Sequence, residues 1–433
     1  MAYNRLFEAL TQFDTTEIER IFGNEYAFDT TDALPDLAPV KRVVIVAEAF
    51  LPKVDGVSKS AYLTLRHLQR TGREVLVFAP DIAPTSIGPT RIIPLPSFGV
   101  PLAPETRIAL PTTIIADYLD DFKPDLIHMF SPALLSVSAM LAGRRRNLPI
   151  VANYQTDLPA YAQHYGLHFL SQPTRDWLRY IHNGCHLTLV PSNFTLRQLQ
   201  SWGYHRLRRW GRGVNGRRFS PAHRSAAWRE KLLNGRDPDS LLCIYVGRLA
   251  VEKRIDLLLE AARLPGVALT IIGDGAMRDE LEVMFAGTDT HFMGYLFGDD
   301  LSRAFASADV FMFTGPAETF GQVVQEAMAS GLPSVVINQG GVADLVVDGQ
   351  TGYLCSDDPA SFAEAARRLR DDPALRRQLS ENARSAAERQ PWGAIMAQLE
   401  AHYKEAIQIN ERAKRLFPPT GLNIPLPVLF RPR

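Results

Sequence analysis

Residues 41–80, KRVVIVAEAFLPKVDGVSKSAYLTLRHLQRTGREVLVFAP, predict a β–α–β unit. The runs KRVVIVAEAF and REVLVFAP are apolar over most of their length, which is typical of strands buried on both faces of a sheet. Between them, VDGVS has the composition of a loop, and KSAYLTLRHLQRTG has that of a helix ending at Gly72. Because one crossover helix joins the two strands, they run parallel. This stretch therefore predicts an α/β domain.

Strand-like runs of the same kind continue along the chain. They are DLIHMFSP, LPIVANYQTD and CHLTLVPS in the first half, and LLCIYVGRLA, VALTIIGDG, DVFMFTGPAE and LPSVVINQGG in the second. We predict an α/β fold with two doubly wound, Rossmann-like domains that face each other across a cleft. Such sheets bind ligands at the carboxyl ends of their strands.

The chain divides into five predicted segments. They are an N-terminal extension over 1–40, a first domain over 41–218, a polar linker over 219–240, a second domain over 241–390, and a C-terminal helix and tail over 391–433 that returns to the first domain. The extension contains an amphipathic stretch near Tyr3–Phe22. Five prolines follow Phe417, and this tail is suited to docking on the protein itself or on lipid headgroups.

The composition bounds the function. A chain of 433 residues with 46% hydrophobic and 22% charged residues can build two packed domains. No apolar run approaches the ~20 residues of a membrane span, and the first residues do not resemble a secretory signal. The three cysteines (Cys185, Cys243 and Cys355) are scattered, as expected of buried thiols in a reducing compartment. We predict a cytoplasmic protein.

The sharpest chemical signal is a pair of carboxylates in ETFGQVVQE, at Glu318 and Glu326. Glu318 lies in the loop after a predicted strand, and Glu326 lies about two turns along the helix that follows. The backbone amides near Phe320, Gly321 and Gln322 would open this helix, where the helix dipole favours an anion such as a diphosphate. The carboxylates can accept hydrogen bonds from sugar and ribose hydroxyls.

Cations and a glycine loop belong to the same pattern. GRLAVEK places Arg248 and Lys253 between a predicted strand and a helix, where they can neutralise a leaving diphosphate. In PKVDGVS, Gly56 would allow the backbone to approach a phosphate, with the amino end of the next helix pointing the same way. A plain turn glycine would give the same sequence.

Other motifs are absent. GDG at 273–275 lacks the third glycine of the dinucleotide fingerprint, and no Walker lysine motif occurs. The ten histidines have no zinc-like pairing, and no Asp-x-Asp follows a strand. We expect no cofactor, no metal and no nucleic-acid partner, so catalysis should not need an added metal.

Together, GRLAVEK, IIGDG, the spaced glutamates, ASADVFMF and ASGLPSVV resemble family 4 retaining glycosyltransferases of the GT-B fold. The likeness runs from about Lys41 to Tyr403. YQTDLPAYAQHYG at 154–166, RRWGRGVN at 208–215 and ETFGQVVQEAMASG are most similar to GDP-mannose-dependent α-mannosyltransferases acting on glycolipids. The same stretches and the KRLFP tail also resemble sulfoquinovosyl-diacylglycerol synthases, which use a UDP-sugar.

The resemblance implies roles for these residues. Glu318 would contact the hydroxyls of the donor sugar and position its anomeric carbon, and Glu326 would hold the ribose. Arg248 and Lys253 would stabilise the leaving diphosphate, with Gly56 and the amides around 320–322 completing the cradle. The first domain would face the acceptor, and the second would bind the nucleotide sugar.

One position departs from the family pattern. Many members have a histidine where this chain has Gln155, so a role for histidine cannot be carried over. Asp157, two residues later, is a candidate for touching the sugar or the acceptor. The family is thought to react on one face of the sugar, with the diphosphate helping to deprotonate the acceptor, so no side-chain nucleophile is expected.

The favoured function is transfer of a hexose, from GDP-mannose or alternatively from a UDP-sugar, to a lipid or glycolipid. A nucleotide-sugar 2-epimerase and a catalytically silent binding module are the competing classes. The epimerase normally lacks the paired glutamates, and the intact cations argue against decay. Base selection is expected near Gly294 and Tyr295.

An anionic membrane surface is a further expected partner. Between Lys41 and Arg218 there are 22 Lys and Arg against 11 Asp and Glu, a net of +11 in a chain with zero net charge. An unevenly charged, solvated surface would give the same count. Clusters at Arg144–Arg146 and Arg206–Arg212 would attract anionic lipid. Leu6, Leu10, Phe13 and Phe417 could add shallow apolar insertion.

Overall fold

Two parallel sheets covered by helices form the molecule, as predicted. The computed structural model describes residues 35–51, 55–100, 103–159 and 168–416. The predicted amphipathic stretch near Tyr3–Phe22 and the tail from Phe417 lie outside these residues.

The first domain holds an eight-stranded sheet in the order β10-β9-β8-β7-β1-β2-β4-β3. Only the β3–β4 pair is antiparallel. The strands are β1 (Arg42–Ala47), β2 (Glu74–Pro80), β3 (Ser86–Ile87), β4 (Thr90–Leu95), β7 (Leu126–Phe130), β8 (Ile150–Asn153), β9 (Leu187–Val190) and β10 (Leu207–Arg209), with a separate hairpin of β5 (Ser97–Val100) and β6 (Ala103–Ala109). The helices are α1 (Gly56–Arg70), α2 (Ile114–Phe122), α3 (Leu135–Arg145), α4 (His168–Gly184) and α5 (Asn193–Ser201).

Both faces of this sheet are buried. In β1, Val43 and Ile45 belong to one apolar cluster, whereas Val44 and Val46 belong to another. Since alternate residues of a strand point to opposite faces, each face of the sheet has its own core. This explains why the strand is a continuous apolar run.

The second domain holds a six-stranded, wholly parallel sheet in the order β13-β12-β11-β14-β15-β16. The strands are β11 (Leu241–Val246), β12 (Val267–Ile272), β13 (Thr290–Gly294), β14 (Val310–Phe313), β15 (Ser334–Ile337) and β16 (Gly352–Cys355). The helices are α6 (Ala226–Leu233), α7 (Leu259–Ala262), α8 (Arg278–Met284), α9 (Gly298–Ser307), α10 (Gln322–Ala329), α11 (Pro359–Asp371) and α12 (Pro373–Glu388).

The stretch predicted as a linker, residues 219–240, is packed. It contains α6, and Phe219, Leu232 and Leu233 are buried in the core of the second domain. The polar composition of this stretch reflects the exposed side of a short helix. These residues are therefore part of the second domain and not an unpacked connection.

In each sheet, successive strands are added first on one side of the starting strand and then on the other, so the strand order has one switch point. In the first sheet this point lies between β1 and β7, and in the second it lies between β11 and β14. The loops at the carboxyl ends of such neighbouring strands diverge and leave a crevice that can hold a ligand.

The three cysteines are free and buried, as predicted. Burial raises the pKa of Cys185 to about 12 and that of Cys355 to about 11, so both thiols stay protonated at neutral pH. Within the described residues, no helix is long and apolar enough to cross a bilayer.

The last helix, α13 (Trp392–Leu416), returns to the first domain. Ile395 and Leu399 join one of its apolar clusters, and Tyr403 Oη lies 2.8 Å from His128 Nδ1. Burial lowers the pKa of His128 to about 4, so this imidazole is neutral at pH 7.

A buried ion pair fixes α13 to the first domain. Both carboxylate oxygens of Glu400 accept from the Arg73 guanidinium, at 2.6 and 2.8 Å. His67 Nε2 lies 2.7 Å from Glu400 Oε1, and the Ala38 amide donates to Oε2 at 2.8 Å. Burial alone would raise the pKa of Glu400, but hydrogen bonds from His67, Arg73 and Ala38 and the charge of Arg73 bring it down to about 2.

We expect Glu400→Gln to lower the free energy of unfolding by about 3 kcal/mol at pH 7, because it leaves Arg73 buried without a counter-charge. The pKa of Glu400 is lower in the folded than in the unfolded chain, so its contribution is complete above pH ~4.5 and is lost between pH ~4.5 and 2. Urea unfolding at pH 7 and below pH 4 measures both effects. Glu405→Gln, which removes a half-buried carboxylate of α13 that pairs with a solvent-exposed Arg208, is the control, and an equal loss in both variants would contradict the assignment.

Candidate active site

The predicted glutamate and cations of the second domain meet at its switch point. Arg248 and Lys253 follow β11, and Glu318 follows β14, its hydrogen-bonded neighbour. The Lys253 ammonium and the Glu318 carboxylate form an ion pair. Thr314 Oγ1 donates to the Lys253 carbonyl at 2.7 Å, which holds the two loops together.

Glu318 is ionised at neutral pH. Burial raises its pKa, but the charge and hydrogen bond of Lys253, followed by the charges of Arg212 and Arg248, outweigh burial and lower the pKa below its usual value. A carboxylate in this state only accepts hydrogen bonds. It can therefore take hydroxyl donors from a bound polyol.

Arg248 is positioned by a neighbour that the sequence analysis did not single out. Glu252, one helical turn later and buried, pairs with the guanidinium. The Arg248 side chain is 36% exposed, so it can still meet a ligand from the cleft. Glu252 stands within the GRLAVEK motif, but its inward orientation depends on the short helix Val251–Lys253.

The amino end of α10 carries no side-chain cap among the described residues. Its first-turn amides therefore have no side-chain acceptor in this part of the chain. Gly321 stands before the helix with φ of 86°, and a Cβ there would collide with Val342. Phe320 is buried beside it. These residues stand where the sequence predicts a backbone cradle for an anion, at 320–322.

The amino end of α1 carries an acidic cap. The Asp55 carboxylate accepts from the amides of Val57 and Ser58, at 3.0 and 2.8 Å. An acidic cap uses the donors that an incoming phosphate would need. At Gly56, an added Cβ would collide with the guanidinium of Arg212.

A second glycine pair supports the Glu318 loop. The Gly341 amide donates to the Glu318 carbonyl at 2.6 Å. Added Cβ atoms at Gly340 and Gly341 would collide with the carbonyls of Pro316 and Thr319. The two glycines are visible in the sequence as NQGG, directly after β15. Their contact with the Glu318 loop becomes apparent only once β14 and β15 are known to be neighbours in the sheet.

The first domain contributes two cations that the sequence analysis did not assign to the site. Lys59, in the first turn of α1, lies 3.1 Å from Glu326 Oε1 across the cleft. Arg212 was expected in a basic surface cluster, but it is buried beside Gly56 and Phe320. Correspondingly, Glu326 faces the first domain and not solvent.

The Gln322 side chain is used between the domains. Its Nε2 donates to the Gly213 carbonyl at 3.0 Å, and Gln325 Nε2 donates to the Arg212 carbonyl at 2.9 Å. The backbone amide of Gln322, and not its side chain, is therefore the group left for the predicted cradle. These two amides attach α10 to the segment that leaves the first domain.

Asp157 lies on the first-domain wall, after β8, and is buried. Its carboxylate lies 3.4 Å from both Tyr154 Oη and Gln198 Nε2. The neighbouring Gln155 carbonyl accepts from Thr319 Oγ1 at 2.8 Å, which brings this wall against the Glu318 loop. Asp157 therefore lies on the wall that packs against the Glu318 loop, and within the described residues no hydrogen bond joins the two carboxyl groups.

Tyr295, in the region proposed for base selection, is held by a stacked aromatic neighbour and a hydrogen bond. Tyr295 Oη donates to the Asp274 carbonyl at 3.0 Å, and the rings of Tyr295 and Phe297 stack with their centroids 5.8 Å apart. Among the described residues, no group of three or more His, Cys, Asp or Glu is arranged to hold a metal ion.

Comparison with known proteins adds to this geometry. The family model "Glycosyltransferase Family 4" matches residues 54–218, and "Glycosyl transferases group 1" matches residues 227–386. The GDP-mannose-dependent alpha-mannosyltransferase of Mycobacterium tuberculosis is 38% identical over 84% of this chain and 96% of its own length. The sulfoquinovosyl transferase SQD2 of Arabidopsis thaliana is 35% identical over 82% of this chain and 74% of its own length.

Solved structures share the architecture. Anabaena HepE in complex with UDP has a TM-score of 0.65 at 18% identity, over 83% of this chain and 98% of that one. At this identity the likeness shows the GT-B fold alone.

Lys253→Met tests the cation beside Glu318. Losing one donor to the developing charge should cost roughly 2–4 kcal/mol, so turnover with a nucleotide-sugar donor should fall by about two orders of magnitude. The pKa of Glu318 should also rise, which moves the acid limb of the pH–rate profile to higher pH. Steady-state kinetics across pH measures both effects. Lys231→Met, an exposed cation of the same domain, is the control. Near-normal turnover in folded Lys253→Met would rule the role out.

Proposed function

Since the chain belongs to the family 4 glycosyltransferases, we propose that it transfers a hexose from a nucleotide diphosphate sugar to a lipid or glycolipid. GDP-mannose is the favoured donor, and the anomeric configuration is retained. One observation carries this proposal: Lys253, Glu318 and the uncapped end of α10 converge at the switch point of the second sheet. A diphosphate sugar needs a cation, a hydroxyl acceptor and an anion cradle at one place.

The proposed roles follow the two ends of the donor. Glu318 accepts from the sugar hydroxyls and positions the anomeric carbon, and Glu326 accepts from the ribose. Arg248, Lys253 and the first-turn amides of α10 hold the diphosphate. Because Glu326 is paired with Lys59 in this structure, ribose binding would replace an ion pair by hydroxyl hydrogen bonds.

The donor base is proposed as guanine. The alignment with a relative named as a GDP-mannose-dependent mannosyltransferase extends over nearly the whole of that relative, with 96% of the M. tuberculosis protein aligned. A UDP-sugar is the alternative, because the sulfoquinovosyl transferase aligns at 35% identity. Tyr295 and the backbone near Gly294 are the proposed contacts to the base.

The chemical step is proposed to occur on one face of the sugar and without a metal. The two cations Arg248 and Lys253 meet the charge that develops on the diphosphate. The acceptor hydroxyl gives its proton to the departing phosphate, so no side chain acts as nucleophile. Asp157 on the opposite wall is proposed to touch the sugar or the acceptor.

The lipid acceptor is supported by an exposed face of α4. At about 100° per residue, Phe169, Leu170, Pro173, Trp177 and Tyr180 lie within an arc of about 100°. Phe169 is 73% exposed and Tyr180 is 40% exposed. Aromatic residues in this setting suit the interface between water and lipid.

The position of this aromatic face suits an acceptor that arrives from a membrane. Trp177 Nε1 donates to the Ala133 carbonyl at 2.9 Å, just beyond the carboxyl end of β7. The face therefore lies on the ligand-binding edge of the first sheet. We propose a cytoplasmic protein that attaches peripherally to anionic membranes.

The arginines of the predicted basic clusters should contribute less to membrane attachment than their number suggests, because several are paired or buried. Arg146 pairs with Asp120, Arg208 pairs with Glu405, and Arg212 is buried in the cleft. Apolar contact through α4 therefore carries more of the proposed attachment than these charges do.

Incubation with radiolabelled GDP-mannose, UDP-glucose and a lipid extract tests the function. We expect label from GDP-mannose in the organic phase, together with release of GDP. Label from the UDP-sugar alone would favour the alternative donor. A nucleotide sugar converted without lipid would indicate the epimerase class, and binding without turnover would indicate a silent module. Either of the last two results overturns the transferase proposal.

Vesicle binding tests the proposed membrane face. Phe169→Ser combined with Tyr180→Ser should weaken binding to anionic vesicles by about tenfold or more, because two exposed aromatic side chains lose their apolar contact. Val283→Ser, which removes a 77% exposed apolar residue of the second domain, is the control. Sedimentation with liposomes measures binding, and high salt should weaken it further. Equal binding by the double variant and the control would refute this surface.

A further inference from the structure

Within the described residues, Arg212 is a buried cation with no carboxylate in direct contact. It is 7% exposed, and its Nε has no hydrogen-bond partner among these residues. Among the ion pairs of the described residues, none includes Arg212. A buried guanidinium in this state is costly unless an anion satisfies it.

The position of Arg212 is fixed from two sides. Its carbonyl accepts from Gln325 Nε2 of the second domain at 2.9 Å. Its guanidinium lies against Gly56, in the space that a side chain there would fill, and 5.9 Å from the centroid of the Phe320 ring. It therefore stands between the glycine loop of the first domain and the open end of α10.

The electrostatic surroundings identify the end of the cleft that Arg212 faces. Burial lowers its pKa, and the carboxylates of Glu318, Asp55 and Glu326 oppose this, with Glu318 having the largest effect of the three. Glu318 is the group proposed for the sugar, and Glu326 is the group proposed for the ribose. Arg212 is thus more strongly coupled to the sugar end of the donor.

We propose that Arg212 binds the sugar-proximal phosphate of the nucleotide diphosphate donor and stabilises it as the leaving group. This inference rests on the proposed function and adds a cation from the first domain to the pair in the second. In the step, the bond between the anomeric carbon and the phosphate oxygen breaks, and the acceptor oxygen bonds to that carbon. The acceptor proton passes to the departing phosphate, while Arg212 donates hydrogen bonds and keeps its own protons.

The assignment gives a reason for the glycine at position 56. A side chain there would displace the Arg212 guanidinium, so the glycine leaves room for the arginine. It also makes the site depend on both domains. Arg212 can bind the sugar-proximal phosphate only when the segment around Arg212 is packed against α10.

The test compares nucleoside diphosphates with monophosphates, because only the former carry the proximal phosphate. Affinities of wild type and Arg212→Gln are measured by calorimetry for GDP and GMP, and in parallel for UDP and UMP. We expect Arg212→Gln to lose about 10- to 100-fold in diphosphate affinity, with the monophosphate affinity changed less than threefold. Arg212→Lys should give an intermediate loss, because it keeps the charge without the planar fork.

A stability measurement separates binding from a structural role. Without ligand, Arg212→Gln should stay folded and melt close to the wild-type temperature, because the burial cost of the guanidinium and its attraction to Glu318, Asp55 and Glu326 are lost together. Arg209→Gln, which removes an exposed cation three residues earlier, should leave melting and both affinities unchanged. A parallel loss of diphosphate and monophosphate affinity, or an unfolded Arg212→Gln protein, overturns the inference.

The outcomes also distinguish this inference from the function on which it rests. Wild type that binds neither GDP nor UDP overturns the proposed function and the role of Arg212 together. Wild type that binds a diphosphate, with the same discrimination in Arg212→Gln, overturns only the role of Arg212.

Discussion

The two crossings of the chain between its domains touch each other, and the cleft depends on that contact. The Val214 amide donates to the Gln390 carbonyl at 3.0 Å. Gly213 lies so close to the backbone of Trp392 that no side chain could be added there. Trp210 Nε1 donates to the Ile395 carbonyl at 2.9 Å, which ties the first crossing to α13. With both crossings fixed at one place, the carboxyl edges of the two sheets face each other.

This arrangement brings opposite charges together across the cleft. Lys253 pairs with Glu318 inside the second domain, and Lys59 pairs with Glu326 between the domains. A diphosphate sugar offers both kinds of partner: phosphate oxygens for the cations and hydroxyls for the carboxylates. Donor binding can then proceed as an exchange of partners, in which few charged groups are left without a counterpart. That exchange limits the desolvation cost of a highly charged ligand.

The sequence predicts the secondary structure and the residues at strand ends, but it does not show contacts between side chains that are far apart in the chain. The strand and helix patterns were sufficient for the two doubly wound domains, which the structure and its GT-B relatives confirm. Arg248, Lys253 and Glu318 could be singled out as candidates because each follows a predicted strand, and the two strands end at the same edge of the sheet. Lys59 and Arg212 were missed as site residues because their roles depend on contacts with residues 100 or more positions away. The Asp55 cap was missed because the same helix amides can bind either a side-chain carboxylate or a phosphate, and the sequence does not show which one they bind.

The ion pair between Glu400 and Arg73 means that the first domain is not continuous in sequence, since its last helix is made after the whole second domain. The second domain is therefore an insertion whose entry at Val214 and exit at Gln390 lie one hydrogen bond apart. Domain insertion is tolerated where the two ends of the inserted segment lie close together. The second domain meets this geometric condition, so chimaeras joined at Val214 and Gln390 could exchange it between members of the family while the first domain and α13 stay unchanged.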